Sequence, residues 1–422
     1  MTAAGVPLQQ VVRVRRTDDL TFVRAGLMDE VLVNANQLEN SPDSTATTLR
    51  KTGVPFSIDP MLTRFQFPIS LQNEKGETKR NFRRLAAAYA DGTGVPIGSG
   101  PLVDMVATDD SWRAIARNVV AYQWHRLTQE QTQLELFSFD QPQDLRPVRI
   151  LAPALVSLTP TEDYINRVLA EGSAGVATVP LAVPVIVPAG RLLERHSLEK
   201  LVSAVPSDGV EAYLIWTPNL PEATLLTDPN LLNQLLRLVG ALADRGVPVG
   251  HLHGGYVVGA LHAVGVSALV HHLGWVDKGE PAESGQGGLR SCQTYVPGLR
   301  HCARFENAYD LGRALDASTY ARRYCECGFC RGAFGNGQHP LDLLLEDEFI
   351  PFKNGRGRKT PTSRAVGVNT WHYLLSRRAE VERFSTGHAV DVIKEDIERA
   401  SLLGGRDETH GLRRLADQLS AA

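Results

Sequence analysis

Three thiols crowd into six positions late in the chain, Cys325-Glu-Cys327-Gly-Phe-Cys330. Thiolates at this spacing can ligate a single ion, and tetrahedral zinc takes four nitrogen or sulfur donors. Gly328 eases the chain reversal that would bring the third sulfur around. The fourth donor has to come from elsewhere. His372 follows Cys330 after 41 residues, in the helical stretch NTWHYLL, and His339 follows it after 8. No fourth cysteine lies nearby, which disfavours an iron–sulfur cluster. The total of five cysteines is odd, and Cys292 and Cys302 stand apart from the cluster. That pattern argues against a disulfide framework and for reduced thiols in a cytoplasmic protein. Four protein ligands would leave no open position for water, so the expected zinc is structural.

Other residues could do chemistry directly. Asp59 ends the apolar run Val54–Asp59 and precedes PMLTRFQFPISL. A carboxylate at the end of such a run can act as acid, base or nucleophile; before Pro60 it can equally be a turn or helix-capping residue. His251, His253, His271 and His272 fall at the ends of two further runs. They read as an acid/base cluster or as polar lining, with His251, His253 and His271 alternatively the histidine-bound metal site of an unrelated hydrolase.

The elements that position these groups are short β-branched runs separated by helical stretches. Candidate strands are Leu20–Arg24, Val31–Asn34, Val54–Asp59, Val148–Pro153, Val183–Val187, Glu211–Trp216, Val247–His251 and Ser267–His271. Thr161–Ala170, Ser197–Val205 and Asn230–Asp244 carry apolar residues at i, i+3 and i+4. Alternating strands and helices imply parallel strands with helical crossovers. Eight strands in about 250 residues favour a closed (β/α)8 barrel, with an open α/β sheet as the competing architecture. In a barrel, Asp59 would stand at the carboxyl end of the third strand, where catalytic groups gather.

The span 60–147 is too long for an ordinary connection and reads as an insertion over one mouth of the barrel, with Asp110–Glu135 helical. The Gly/Ser-containing stretch Glu280–Leu289 divides a barrel over 1–289 from a largely helical, zinc-binding subdomain over 290–422. Hydrophobic residues make up 43% of the chain, enough to bury a large core and exclude wholesale disorder. Lys+Arg number 44 against 47 Asp+Glu, so global charge names no partner. Between Pro351 and Arg383, however, eight basic residues face two glutamates. No run of 18 apolar residues and no basic-then-apolar leader is visible, so neither a membrane partner nor export is expected.

The order of barrel, long insertion, CxCxxC and distant histidine resembles the tRNA-guanine transglycosylases, from about Val31 to Arg378. The resemblance implies a TIM barrel with a structural zinc held by Cys325, Cys327, Cys330 and His372. It matches Asp59 to the family's aspartate after the third strand, and Phe65-Gln66 to residues that stack on a purine and bind its edge. Leu299–Leu311 is similar to the segment that enters the zinc module. The sequence departs from the family at strand eight, where SALVHH stands in place of the nucleophilic aspartate. Asp277 in the following loop could fill that role, with His271 beside the substrate; otherwise Asp59 is the nucleophile. The fourth, fifth and sixth strands also lack the family's base-recognition residues, and the Gly-Gly of HGGY follows strand seven instead. These departures resemble the divergent paralogues that insert 7-deazaguanines into DNA. The implied activity is exchange of guanine in a polynucleotide, DNA before tRNA, for a base such as 7-cyano-7-deazaguanine. Pairing of subunits through the zinc region would also follow. A paralogue that binds nucleic acid without catalysis is the competing reading.

Overall fold

The computed structural model describes residues 7–421 except 74, 136–144, 195, 274–292, 326, 346–348, 352–358 and 403–405. Eight parallel strands close into a barrel in chain order: β1 Gln9–Val14, β2 Glu30–Asn34, β3 Phe56–Asp59, β4 Ile150–Leu151, β5 Leu181–Ile186, β6 Ala212–Trp216, β7 Val249–His251 and β8 Val266–His272. Pairing of β1 with β8 shuts the cylinder, with Val11 opposite Val270 and Arg13 opposite His272. Helices surround it, as in a TIM barrel. Inward positions Val11, Leu32, Leu151, Ala182, Leu214, Ala268 and Val270 pack as one apolar plug, while residues of opposite parity face the helices.

Seven of the eight expected strands are present, with shifted ends. The first differs. Leu20–Arg24 is not a strand, because Thr17–Phe22 winds into a 3₁₀ helix. The Asp19 carboxylate accepts the backbone N–H groups of Arg15 and Arg16 and so fixes that turn locally. The true β1, QQVVRV, hides its strand character behind buried polar side chains. Gln10 shares a 3.0 Å hydrogen bond with His271, and Arg13 pairs with Asp59.

Within the long β3–β4 connection, helix Asp109–Glu135 serves as the crossover and packs on helix Pro160–Ala174. Gly172 lets their backbones meet: a Cβ there would lie 3.0 Å from the Arg113 Cα. Gln123 on the crossover helix bonds both the N–H and the C=O of Leu151, supporting the two-residue β4.

Beyond the barrel come a hairpin of β9 Gln293–Val296 and β10 His301–Arg304, then the cysteine segment, then helix Ser363–Thr386. This last helix lies against the β8/β1 seam. Tyr373 meets His271 edge-on at 5.3 Å, and Arg378 pairs with Asp29, whose carboxylate also accepts the N–H of Gln10. A buried charge network ties the same helix to the C-terminal helices. Arg300 pairs with Glu380 at 2.8 Å and with Asp396, Arg383 pairs with Asp396 at 2.7 Å, and the Tyr256 hydroxyl donates to Asp396. Among the described residues no helix is long and apolar enough to cross a membrane.

Removing one partner of a buried charge pair leaves the other uncompensated. Asp396→Ala is expected to lower unfolding free energy by about 3–5 kcal/mol, read from urea denaturation. A loss near zero would show that the network is solvated.

Candidate functional site

Two places gather chemically capable side chains. The first is the cysteine segment. Cys325, Cys327, Cys330 and His372 are all buried, and their ligating atoms lie within 4.8 Å of one another. Cys325 Sγ stands 3.4 Å from Cys327 Sγ and 3.5 Å from His372 Nε2. Edges near 3.8 Å are expected for sulfurs about 2.3 Å from a tetrahedral ion, so the donors are gathered closely enough to enclose one. Cys327 caps helix Gly328–Gly335, its sulfur accepting the N–H of Cys330, a position that favours thiolate.

Hydrogen bonds from Cys325 and Cys330 hold the Cys327 thiol far below its usual range, whereas burial pushes Cys330 up. Burial opposes charge on His372, but its interactions with Cys327 and then Cys325 override it and raise the imidazole to about 10. Buried negative charge of this kind suits a divalent cation, and these residues could hold a metal such as zinc. His339 is placed otherwise. Its Nε2 faces the Leu315 carbonyl at 3.2 Å, and its Nδ1 accepts the N–H of Leu341.

The second place is the carboxyl rim of the barrel. Asp59 and Arg13 stand on strands separated by β2, so their 2.7 Å ion pair spans the barrel interior. The other Asp59 oxygen accepts the N–H of Met61, which has a left-handed backbone at φ 57°. The Tyr89 hydroxyl donates to the Pro60 carbonyl and fixes the same turn. Each Asp59 oxygen therefore has one partner and a further lone pair, and the side chain keeps 18% exposure.

Strand parity decides the histidines. Along β8, Ala268 and Val270 point inward, so the next inward residue is His272. His271 faces outward to Gln10 and Tyr373. His272 Nε2 lies 2.8 Å from His253 Nδ1, and the His253 ring stacks on Trp216. The histidines thus do not converge on a metal. Among the described residues, the cysteine cluster is the group found able to hold one.

Other sequence-derived site residues have defined places. Phe65 is fully buried, edge-on to Phe82 and Tyr89. The Gln66 amide bonds both the N–H and the C=O of Val156. Both side chains thereby anchor the start of the long insertion. Asp277 lies outside the described residues.

The Gly-Gly after β7 makes room for the protein's own side chains. A Cβ on Gly254 would meet Val258 at 2.5 Å, and one on Gly255 would meet Glu222 and Arg377 at 2.5 and 2.6 Å. In the basic segment, Arg377, Arg378 and Arg383 are committed to ion pairs, and 352–358 lie outside the described residues. Arg13, Trp216 and Asn34 were not singled out from the sequence. Inward parity on β1, β6 and β2 is the signal that locates them.

No protein-family model matches the chain, and no curated protein matches it either. Among solved structures it is similar to the glycoside hydrolase family 30 subfamily 8 xylanase Xyn30A from Clostridium acetobutylicum. The two share 11% identity at a TM-score of 0.32, over 67% of this chain and 66% of the xylanase, just under two thirds of that enzyme. A likeness at that level carries no functional argument.

Two outcomes follow from this geometry. Purified protein should carry about one zinc per chain, and Cys327→Ser should lose it, as read by elemental analysis. Retention of full metal content by the variant would contradict the four-donor site. Acid should also destabilise the fold. Burial lowers His251 to about 4 and His271 to about 3. Burial, and then the charges of Arg13 and Arg15, hold His253 and His272 well below the ordinary value. The folded state thus binds fewer protons than the unfolded state, whose histidines titrate near 6.5. Stability is intact above about pH 6.5 and is lost on descent toward 4, at up to about 1.4 kcal/mol per pH unit per histidine. Melting temperatures across that range would show the slope; a flat profile would contradict neutral burial.

Proposed function

We propose that the chain is a base-exchange enzyme of the transglycosylase type. It removes guanine from a polynucleotide, DNA in preference to tRNA, and installs a 7-deazaguanine such as 7-cyano-7-deazaguanine. The observation that carries this reading is Asp59. It is an oriented, partly exposed carboxylate at the catalytic end of a barrel whose chain also folds a three-sulfur, one-imidazole cluster.

In this reading Asp59 is the nucleophile. One of its free lone pairs attacks the anomeric carbon as the bond to guanine breaks, and guanine departs after taking a proton. The ring nitrogen of the incoming base then attacks the same carbon, releases the carboxylate and gives up its own proton. Arg13 and the Met61 N–H keep the carboxylate aimed. Two buried carboxylates elsewhere in the barrel have other duties: Glu222 accepts the Gly255 N–H, and Asp163 pairs with Arg191. Contacts to a phosphate backbone would make affinity fall with salt. Zinc on the cysteine cluster would brace the fold and take no part in the exchange.

One observation favours a second reading, a nucleic-acid-binding relative without catalysis. The inward residue at the end of β8 is His272 and not a carboxylate. Incubation with radiolabelled guanine and either duplex DNA or tRNA separates the two. Exchange is expected with DNA, and Asp59→Asn should slow it about 100-fold or more. Retention of nucleic acid with no incorporation by the wild-type protein would overturn the enzymatic reading.

A further inference from the structure

Trp216, His253 and His272 form a ladder across the carboxyl rim. Ring centroids are 4.6 Å apart from Trp216 to His253 and 4.7 Å from His253 to His272, with interplanar angles of 36° and 39°. The two imidazoles share one hydrogen bond, and their outer nitrogens, His253 Nε2 and His272 Nδ1, make none. Trp216 Nε1, Thr217 Oγ1 and Asn34 Oδ1 are likewise without a hydrogen bond. All five residues are more than nine-tenths buried. Buried polar groups are ordinarily satisfied, so the ladder and two further unpartnered groups at the carboxyl ends of β2 and β6 point to a ligand at this end of the barrel.

The kinds of group define the ligand. A neutral imidazole carries one N–H. With one proton in the shared bond, the pair therefore always offers one donor and one acceptor outward. Charging is opposed by burial and by Arg13, Arg15 and Arg64, with His251 and His271 as the other titratable neighbours. Trp216 adds a donor, Asn34 an acceptor and Thr217 either. An oxyanion needs donors alone and would be repelled by the two acceptors; a cation would meet the reverse conflict. An uncharged planar ring bearing both N–H and C=O groups satisfies the set.

We propose that Trp216, His253 and His272, together with Asn34 and Thr217, form the binding site for a lactam heterocycle of the purine or 7-deazapurine class. This deepens the base-exchange reading by naming the side chains that hold the base, and it rests on that reading only for the role of the bound base in turnover.

Equilibrium dialysis with radiolabelled guanine tests it on the full-length protein. Wild type should bind guanine, and inorganic phosphate should not compete. His272→Phe keeps a ring in the ladder but removes both nitrogens, and should weaken binding at least about tenfold. Thr217→Val, nearly isosteric, should weaken it severalfold and serves if the first variant does not fold. Absence of binding by wild type, displacement by phosphate, or unchanged affinity in the folded variants would overturn the site, even if base exchange were observed. Binding that is lost in the variants, from a wild type with no exchange activity, would sustain the site and overturn the base-exchange reading instead.

Discussion

Helix Ser363–Thr386 is the member on which the remaining structure leans. One side of it delivers His372 to three buried sulfurs, and the other lays Tyr373 against β8 and Arg378 against the β1–β2 turn. The seam it covers is where the first and last strands meet, the one pairing in a barrel that links the two ends of the strand series. A donor cluster that fixes this helix therefore also fixes closure. The buried charges of Arg300, Arg377, Glu380 and Asp396 act in the same direction, since each would be costly to expose singly in an apolar surround.

Closure in turn sets the chemistry of the rim. Because β1 pairs with β8 in a register that puts Arg13 beside His272, one guanidinium reaches across to Asp59 and bears on the histidine ladder. The carboxylate is held by charge and by a backbone N–H. The imidazoles stay neutral because they are buried among arginines. The rim thus combines an oriented carboxylate with neutral donor and acceptor groups.

Much of this was legible in the sequence, for identifiable reasons. Strands β2 to β8 announce themselves by short β-branched runs, and the cysteine spacing names its own site. His372 outranks His339 only in three dimensions, because the shorter loop commits His339 to the Leu315 carbonyl. Strand β1 was missed because its inward and outward polar residues, Arg13 and Gln10, find partners on other strands that no local pattern reveals. The choice between His271 and His272 turns on parity, which a one-residue uncertainty in the strand reverses. Phe65 and Gln66 bear the residue types of a base-binding pair, yet the fold uses them for packing and for the Val156 backbone.

The coupling of the cluster to the barrel seam is the central claim, and hydrogen exchange measured by mass spectrometry with and without a zinc chelator tests it most directly. Chelation should release protection in helix Ser363–Thr386 and, together with it, in β1 and β8, while β5 and β6 stay protected. Protection lost around the cysteines alone, with the seam strands unchanged, would contradict the account.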